Sequence, residues 1–341
     1  MLDNASLAEL LCRVAESDEW TPRQQRALRR AGRAAFRWPV EAAELAKTDR
    51  PLTELRWVGP WVSRFLAEWL EHPPPTQPPP PIRRSFLTRT EADRLLGANG
   101  SRRTVRGDLQ LHTSGSDGTA SVRDMALAAR ARGLEYIAVT DHSKGLAIAN
   151  GMDEARLERQ GLEIGALNEE FAATGFRVLR AVEMNLSPAG DGDLDAGFLR
   201  RLDIVLGAFH SRLRVTEDQT ERYLAALERG GFHVLAHPRG RIYDFRLGLQ
   251  ADWPRVFDCA RRHSCAVEID GYPDRQDLDV DLLQVARDQG TIISIGSDAH
   301  ATDQVAFLDF GIAAARSAGI ADERILNCMT AEQLLAWTAR R

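Results

Sequence analysis

Cysteine is scarce. The 341 residues hold four, Cys12, Cys259, Cys265 and Cys328, and none has the close pairing that a zinc finger needs. Four scattered thiols make no disulfide framework, and they read as reduced, structural residues of a cytoplasmic protein. Long apolar runs are also missing. No stretch of about 18 apolar residues occurs, so no membrane-spanning helix is expected. The opening MLDNASLAELLCRVAESDEW is acidic and lacks the basic start and apolar centre of a secretory leader. The chain has little net charge: 44 Lys/Arg against 49 Asp/Glu give −5. What remains is an ordinary globular composition, 44% hydrophobic and 27% charged. The length suits one large domain and one small one, and the protein is expected to act as a monomer.

The small net charge hides an asymmetry. Residues 1–106 carry 18 basic and 13 acidic side chains, and residues 107–341 carry 26 and 36. Acid in the second part is available to hold cations, and base in the first part points to a polyanionic partner. Residues 72–84, HPPPTQPPPPIRR, contain seven of the fifteen prolines. Such a run favours a stiff polyproline II spacer, so three parts are expected: 1–71, the linker 72–84, and 85–341. The first part has helical apolar spacing over 3–17. Thr21-Pro22 opens a second helix carrying Arg23, Arg26, Arg29, Arg30, Arg33 and Arg37, with no acid between Glu19 and Glu41. A third helix covers about 40–47. LTELRWVGPWVSRFLAEWLE then reads as helix, tight turn at Val58-Gly59-Pro60, helix.

After the prolines the pattern changes to alternation. Strand-like runs are GDLQLHT (107–113), YIAVTDH (136–142), RVLRAVEMN (177–185), IVLGAFHS (204–211), HVLAHP (233–238), AVEID (266–270) and IISIGSDAH (292–300). Helical stretches lie at 121–132, 154–172, 216–229, 253–262 and 279–289. Buried apolar strands alternating with helices predict an α/β domain with a parallel sheet or a barrel, and seven strands in about 235 residues suit a barrel-like domain. The C-terminal ends of these strands carry Gln110, His112, Asp141, His142, Glu183, His210, His237, Asp298 and His300. That is the face on which barrel proteins build their sites. Five of the eight histidines fall there, beside carboxylates, a donor set suited to Zn²⁺, Mn²⁺ or Fe²⁺ and too large for one ion. Such clusters clamp phosphoryl oxygens and generate hydroxide near neutral pH.

At these residues the chain resembles the PHP (polymerase and histidinol phosphatase) family. The motifs are DLQLHTSGSDG, VTDHS, VEMN, FHS, AHPRGR and GSDAH, in order over about 105–341. AVEIDGYPDRQDL and SDAHATDQ are most similar to the C-terminal PHP domain of bacterial family X DNA polymerases. The resemblance implies a distorted (β/α)₇ TIM-like barrel and three divalent metal ions, Mn²⁺, Zn²⁺ or Fe²⁺. By position, Gln110, His112, Glu183 and Asp298 would surround the first ion. Glu183 would bridge to a second held by His210 and His237, and Asp117, His142 and His300 would hold the third. Glu183, His210 and Asp298 are the expected catalytic residues, and Asp141 a supporting one. Gln110 stands where the usual pattern has His; an amide oxygen still ligates, but as a harder, weaker donor to zinc. Arg239, Arg241, Arg275 and Lys144, near the rim, are the expected phosphate contacts.

The front stretch LTELRWVGPWVSRFLAEWL resembles the small helix-hairpin-helix domain that opens family X polymerases. Trp57 replaces the first glycine of the hairpin and Gly59 remains. Gly59 and the helix bearing Arg23, Arg26, Arg30, Arg33 and Arg37 are the expected DNA-binding elements. No polymerase core lies between the two parts. The resemblance thus implies a metal-dependent phosphoesterase acting on single-stranded DNA or 3′ ends, as a 3′–5′ exonuclease or end-processing enzyme in DNA repair. Two other readings stay open: a phosphatase of a small phosphomonoester, and a catalytically silent DNA-binding protein.

Overall fold

The computed structural model describes residues 2–48, 50–97 and 104–340. Its first part is helical. Asp3 caps α1 (Asn4–Val14) by accepting from the Ser6 amide, and Thr21 with Gln24 forms a reciprocal capping box on α2 (Pro22–Ala35). The two helices pack closely because Gly32 has no side chain; a Cβ there would lie 3.0 Å from Cys12 Sγ. α3 (Ala42–Lys47) and α4 (Pro60–Glu71) complete the layer. The helix expected before the Val58-Gly59-Pro60 turn is corrected to a single 3₁₀ turn, Leu52–Glu54. Pro51 bars any earlier helical bond, and Trp57 leaves the helical region at φ +66°, so only one turn fits between them.

The proline segment also departs from expectation. It is not a spacer that holds two parts away from each other, because it lies against both. Arg13 donates to Gln77 at 2.7 Å and to the Pro78 carbonyl at 3.0 Å. Arg83, its side chain 5% exposed, pairs with Glu9 at 2.8 Å and Glu16 at 2.6 Å from the front, and with Asp244 at 2.9 Å from beyond the linker. Alongside, Phe36 meets Tyr243 with centroids 4.7 Å apart, and Phe86 meets Tyr243 at 5.2 Å. Phe86 and Tyr243 thereby complete the apolar cluster built on Leu7, Leu11, Leu28 and Leu66.

The remainder is a parallel α/β barrel. After α5 (Arg89–Gly97), the chain runs β1 (Gly107–Leu111), α6 (Val122–Ala131), β2 (Tyr136–Val139), α7 (Glu154–Phe171), β3 (Arg177–Leu186), α8 (Ala196–Leu199) and β4 (Ile204–Phe209). It continues with α9 (Thr220–Arg229), β5 (Val234–Leu235), α10 (Trp253–Arg262), β6 (Ala266–Asp270), α11 (Val280–Asp288), β7 (Ile293–Gly296), α12 (Leu308–Ser317) and α13 (Ala331–Thr338). The seven strands lie in chain order and pair in parallel, buried over nearly their whole length. That burial on both faces is why they read as apolar runs rather than as alternation. β1 passes so close to β2 that a Cβ on Gly107 would meet the Tyr136 ring at 2.1 Å.

The ring closes at a β1–β7 seam that has only a few backbone bonds: Asp298 N–H to Gln110 O at 3.0 Å and His112 N–H to Ala299 O at 2.8 Å. Side chains stitch the rest. Asp108 accepts from the Ser297 amide at 3.0 Å. Asn327 donates to the Gly107 and Ile295 carbonyls at 2.8 and 2.7 Å and accepts from the Ile295 amide at 2.8 Å. Among the described residues no helix is long and apolar enough to cross a membrane.

Arg83→Ala leaves Glu9 and Asp244 facing each other without their shared cation. Removing one partner of a buried ion pair costs about 3–5 kcal/mol. Urea unfolding of the variant should therefore show a midpoint well below wild type; an unchanged midpoint would mean that this clamp does not hold the two parts together.

Candidate metal centre

Each expected ligand side chain lies at a strand's C-terminal end or in the loop just after it. At the centre is Glu183 of β3, fully buried, with imidazoles on both oxygens. His237 Nε2 is 2.7 Å and His210 Nε2 3.1 Å from Oε1; His142 Nδ1 is 3.0 Å and His112 Nε2 3.4 Å from Oε2. Burial alone would raise this carboxyl's pKa, but His142, His210 and His237 hold it well below the ordinary range. His112 also lies 3.0 Å from Asp298, and stacks between His142 and His300 at 4.3 and 4.4 Å. Its basicity is strongly depressed, first by burial and then by those two rings. Asp117 closes the far side, 3.4 Å from His300 Nε2 and 3.7 Å from His142 Nε2.

Surrounding groups fix which nitrogen faces inward. Asn185 Oδ1 lies 3.1 Å from His210 Nδ1, and the Asp298 carbonyl 2.8 Å from His300 Nδ1. In each case the oxygen accepts, so Nδ1 carries the proton and Nε2 turns a lone pair toward a carboxylate. Burial also pushes the His210 pKa down, against a second proton. Lone pairs facing one another at 3.1 and 3.4 Å repel unless a cation lies between them. Both ring nitrogens of His112, and Nδ1 of His142, are buried without a hydrogen-bond partner. Orphaned imidazole nitrogens around a shared carboxylate fit divalent cations, bound through N and O donors. Among the described residues, two groupings have donor atoms close enough for one ion: His112, Asp117, His142 and His300, and His142, Glu183 and His210.

The backbone is strained to present these groups. His237 and Asp298 have φ of +24° and +50°, where residues other than glycine are disfavoured. Each such departure costs of order 1–3 kcal/mol and persists only where the surroundings impose it. Asp141, fully buried, supports the first loop by accepting from the Thr113 amide at 2.8 Å, the Ser116 amide at 3.1 Å and Gln160 at 2.5 Å. That organises the loop carrying Asp117.

Gln110, fully buried in β1, faces Glu268. With its amide turned so that both ends are satisfied, Nε2 donates to Glu268, which also accepts the His237 amide at 2.8 Å. Burial, with Asp270 beside it, drives the Glu268 pKa well above normal. Glu268 and Asn185 were not singled out from the sequence. The available signal for Glu268 was an acid inside an otherwise apolar strand, AVEID.

The cations expected to contact phosphate divide. Arg275 donates to Asp298 and reaches into the centre. Arg241 is corrected: it is buried, pairs with Asp279 at 2.7 Å, and donates to the Ser85 carbonyl at 2.9 Å. Arg239 pairs with the same Asp279 oxygen, and Lys144 with Glu154, each at 2.7 Å. The strong local carboxylates hold these three as structural or surface pairs. Gly59 caps α4 at φ −82° with open space around its Cα, so nothing there requires glycine. Arg23, Arg26, Arg30 and Arg33 are exposed along α2, and Arg37 follows it.

Residues 108–258 match the PHP domain. Over 237 residues, 69% of this chain, 36% of positions are identical to the DNA polymerase/3′-5′ exonuclease PolX of Bacillus subtilis; the match covers 41% of that protein, so the chain spans about two fifths of it. A protein named probable phosphatase from Shewanella sediminis is 27% identical over 245 residues, covering 69% of this chain and 94% of that one. The crystal structure of histidinol phosphate phosphatase from Lactococcus lactis, with zinc, L-histidinol and phosphate, superposes with a TM-score of 0.42 at 17% identity, over 59% of this chain and 90% of that one.

His210→Ala and His237→Ala should each lower the metal content of protein purified without chelator, measured by mass spectrometry. Full occupancy in either variant would remove that residue from the ligand set. Gln110→His replaces an amide with an imidazole and removes a donor from Glu268. Zinc affinity should rise by at least about 10-fold, since even outer neighbours of a metal site shift affinity by 10–100-fold. Calorimetric titration giving the same zinc and manganese affinities in both proteins would place Gln110 outside the coordination sphere.

Proposed function

We propose, from the match of residues 108–258 to the PHP domain, that the chain is a metal-dependent phosphoesterase that hydrolyses DNA from 3′ ends. The observation that carries the hydrolytic part is the set of inward lone pairs: His210 Nε2 against Glu183, and His300 Nε2 against Asp117. Two or three divalent ions suit those donors, with Mn²⁺, Zn²⁺ or Fe²⁺ the chemically fitting choices. Bound there, they supply Lewis-acid polarisation of a phosphoryl oxygen and activation of the attacking water.

The protein's own groups do the positioning. Glu183 is shared between the two halves of the site, and Asp298 is held by Arg275. Arg275 is the cation that would donate to a phosphate oxygen. Asn185 and the Asp298 carbonyl keep His210 and His300 in the ligating tautomer. Asp141 keeps the Asp117 loop in place. The DNA part of the reading is supported by the basic α2 at the rim and by the PolX relative's name. The probable phosphatases, which match over most of their own length, favour a second reading, a small phosphomonoester.

Two substrates separate these readings: a 5′-labelled single-stranded oligonucleotide and p-nitrophenyl phosphate, each with Mn²⁺. The proposal expects progressive shortening of the oligonucleotide from its 3′ end. Rapid hydrolysis of the monoester with an intact oligonucleotide would replace it with the phosphatase reading. Inertness toward both, with metals bound, would leave the silent-scaffold reading.

A further inference from the structure

A groove of about 720 Å³ runs between α2 and the loop that follows β6. One wall is Arg23, Arg26, Arg30 and Arg33, spaced by three and four residues so that they form a single stripe, with Arg37 continuing it. From Arg23 to Arg37 the stripe is ~21 Å long at a helical rise of 1.5 Å per residue. That length faces about six phosphates at the 3.4 Å spacing of a stacked strand. The other wall is Tyr272, Pro273 and Asp274.

We infer that this groove is the track along which a single-stranded polynucleotide reaches the metal centre. Three observations support it. First, among the described residues none of these five arginines pairs with a carboxylate, whereas Arg83, Arg123, Arg239 and Arg241 elsewhere all do. Among the described residues that line the groove, Asp274 is the one acid. A stripe of unneutralised guanidinium groups is complementary to a phosphate backbone.

Second, the groove offers flat apolar faces between the charges. Trp57 is 47% exposed, with the Arg30 guanidinium 4.2 Å over its ring. Its φ of +66° is unfavourable for a bulky side chain, yet it directs the ring into the groove rather than into the core. Half-buried Tyr272 is the second face. Bases stack on such rings without regard to sequence, and only a single strand exposes its bases for it. Third, the groove leads to the site. The Tyr272 ring is 6.5 Å from the His300 ring, and the same loop carries Arg275, which holds Asp298. A strand lying along the stripe therefore ends at the proposed ligands. The inference rests on the phosphoesterase reading for what happens at that end, but not for the binding itself.

Binding is measured on the full-length metal-loaded protein by fluorescence anisotropy, with a fluorescein-labelled phosphorothioate oligo-dT of about twelve nucleotides that resists cleavage. Arg26→Glu combined with Arg30→Glu and Arg33→Glu changes only exposed side chains. It should weaken binding by at least about 100-fold at low salt, and flatten the plot of log affinity against log salt by about 2 units, at about 0.7 per phosphate contact. Trp57→Ala should weaken binding by roughly 10-fold with the slope unchanged, because stacking releases no counterions. Wild-type affinity and slope in the triple variant would overturn the groove, and wild-type cleavage of DNA would then leave the phosphoesterase reading standing. Tighter binding of an equal-length duplex would overturn the single-strand assignment. A wild-type protein that hydrolyses p-nitrophenyl phosphate but neither binds nor cuts the oligonucleotide would overturn both.

Discussion

A buried carboxylate ringed by imidazoles is the constraint on which the rest of this structure depends. Glu183 is inside the protein, and four histidines press on its two oxygens. His210 turns a lone pair rather than a donor toward it, and burial opposes making His112 or His210 cationic, whereas Glu183 and Asp117 raise the His142 pKa in spite of burial. The cluster is costly to assemble unless positive charge enters it. The surrounding structure holds it together nonetheless. His237 and Asp298 keep unfavourable backbone angles, Asp141 gathers the amides of the first loop, and Asn185 fixes a tautomer.

The barrel makes such convergence possible, because parallel strands aim all their C-terminal ends at one rim. Its closure is correspondingly local. Between β1 and β7 the backbone contributes few hydrogen bonds, and Asp108 and Asn327 supply others from side chains. The loops after β5 and β6 reach outward as well as inward. The first carries His237 at one end and Tyr243 and Asp244 toward the helical part. The second carries Arg275 inward and Tyr272 outward. The helical part is therefore seated on the same loops that shape the site, and its arginine stripe lies beside the rim.

The strand and helix order was legible in the sequence because parallel strands buried on both faces leave unmistakable apolar runs, and because Thr21-Pro22 and its like mark helix starts. Element ends were less so. β5 shrinks to two residues, and the helix expected from 216 begins at Thr220. The hairpin's first helix became one 3₁₀ turn. The proline run read as a spacer because its own composition is stiff, but Arg83 belongs to a charge cluster assembled from residues 9, 16 and 244, which no local pattern connects.

By itself, the sequence determined the chemical inventory: histidines and carboxylates at strand ends, in an order that matches one family, and an acid-free arginine helix. Residue type and strand position suffice for that, since strand periodicity and barrel geometry dictate which end faces the site. Only the tertiary structure decided how those groups are used. It placed Glu183 between four rings, set Gln110 against an unforeseen Glu268, and diverted Arg239 and Arg241 to Asp279. Among the described residues it left Arg23, Arg26, Arg30 and Arg33 without a carboxylate partner along a groove. Those outcomes depend on which charges meet at about 3 Å through folding. Electrostatic partners far apart in the chain are fixed by packing and desolvation, not by spacing along the sequence.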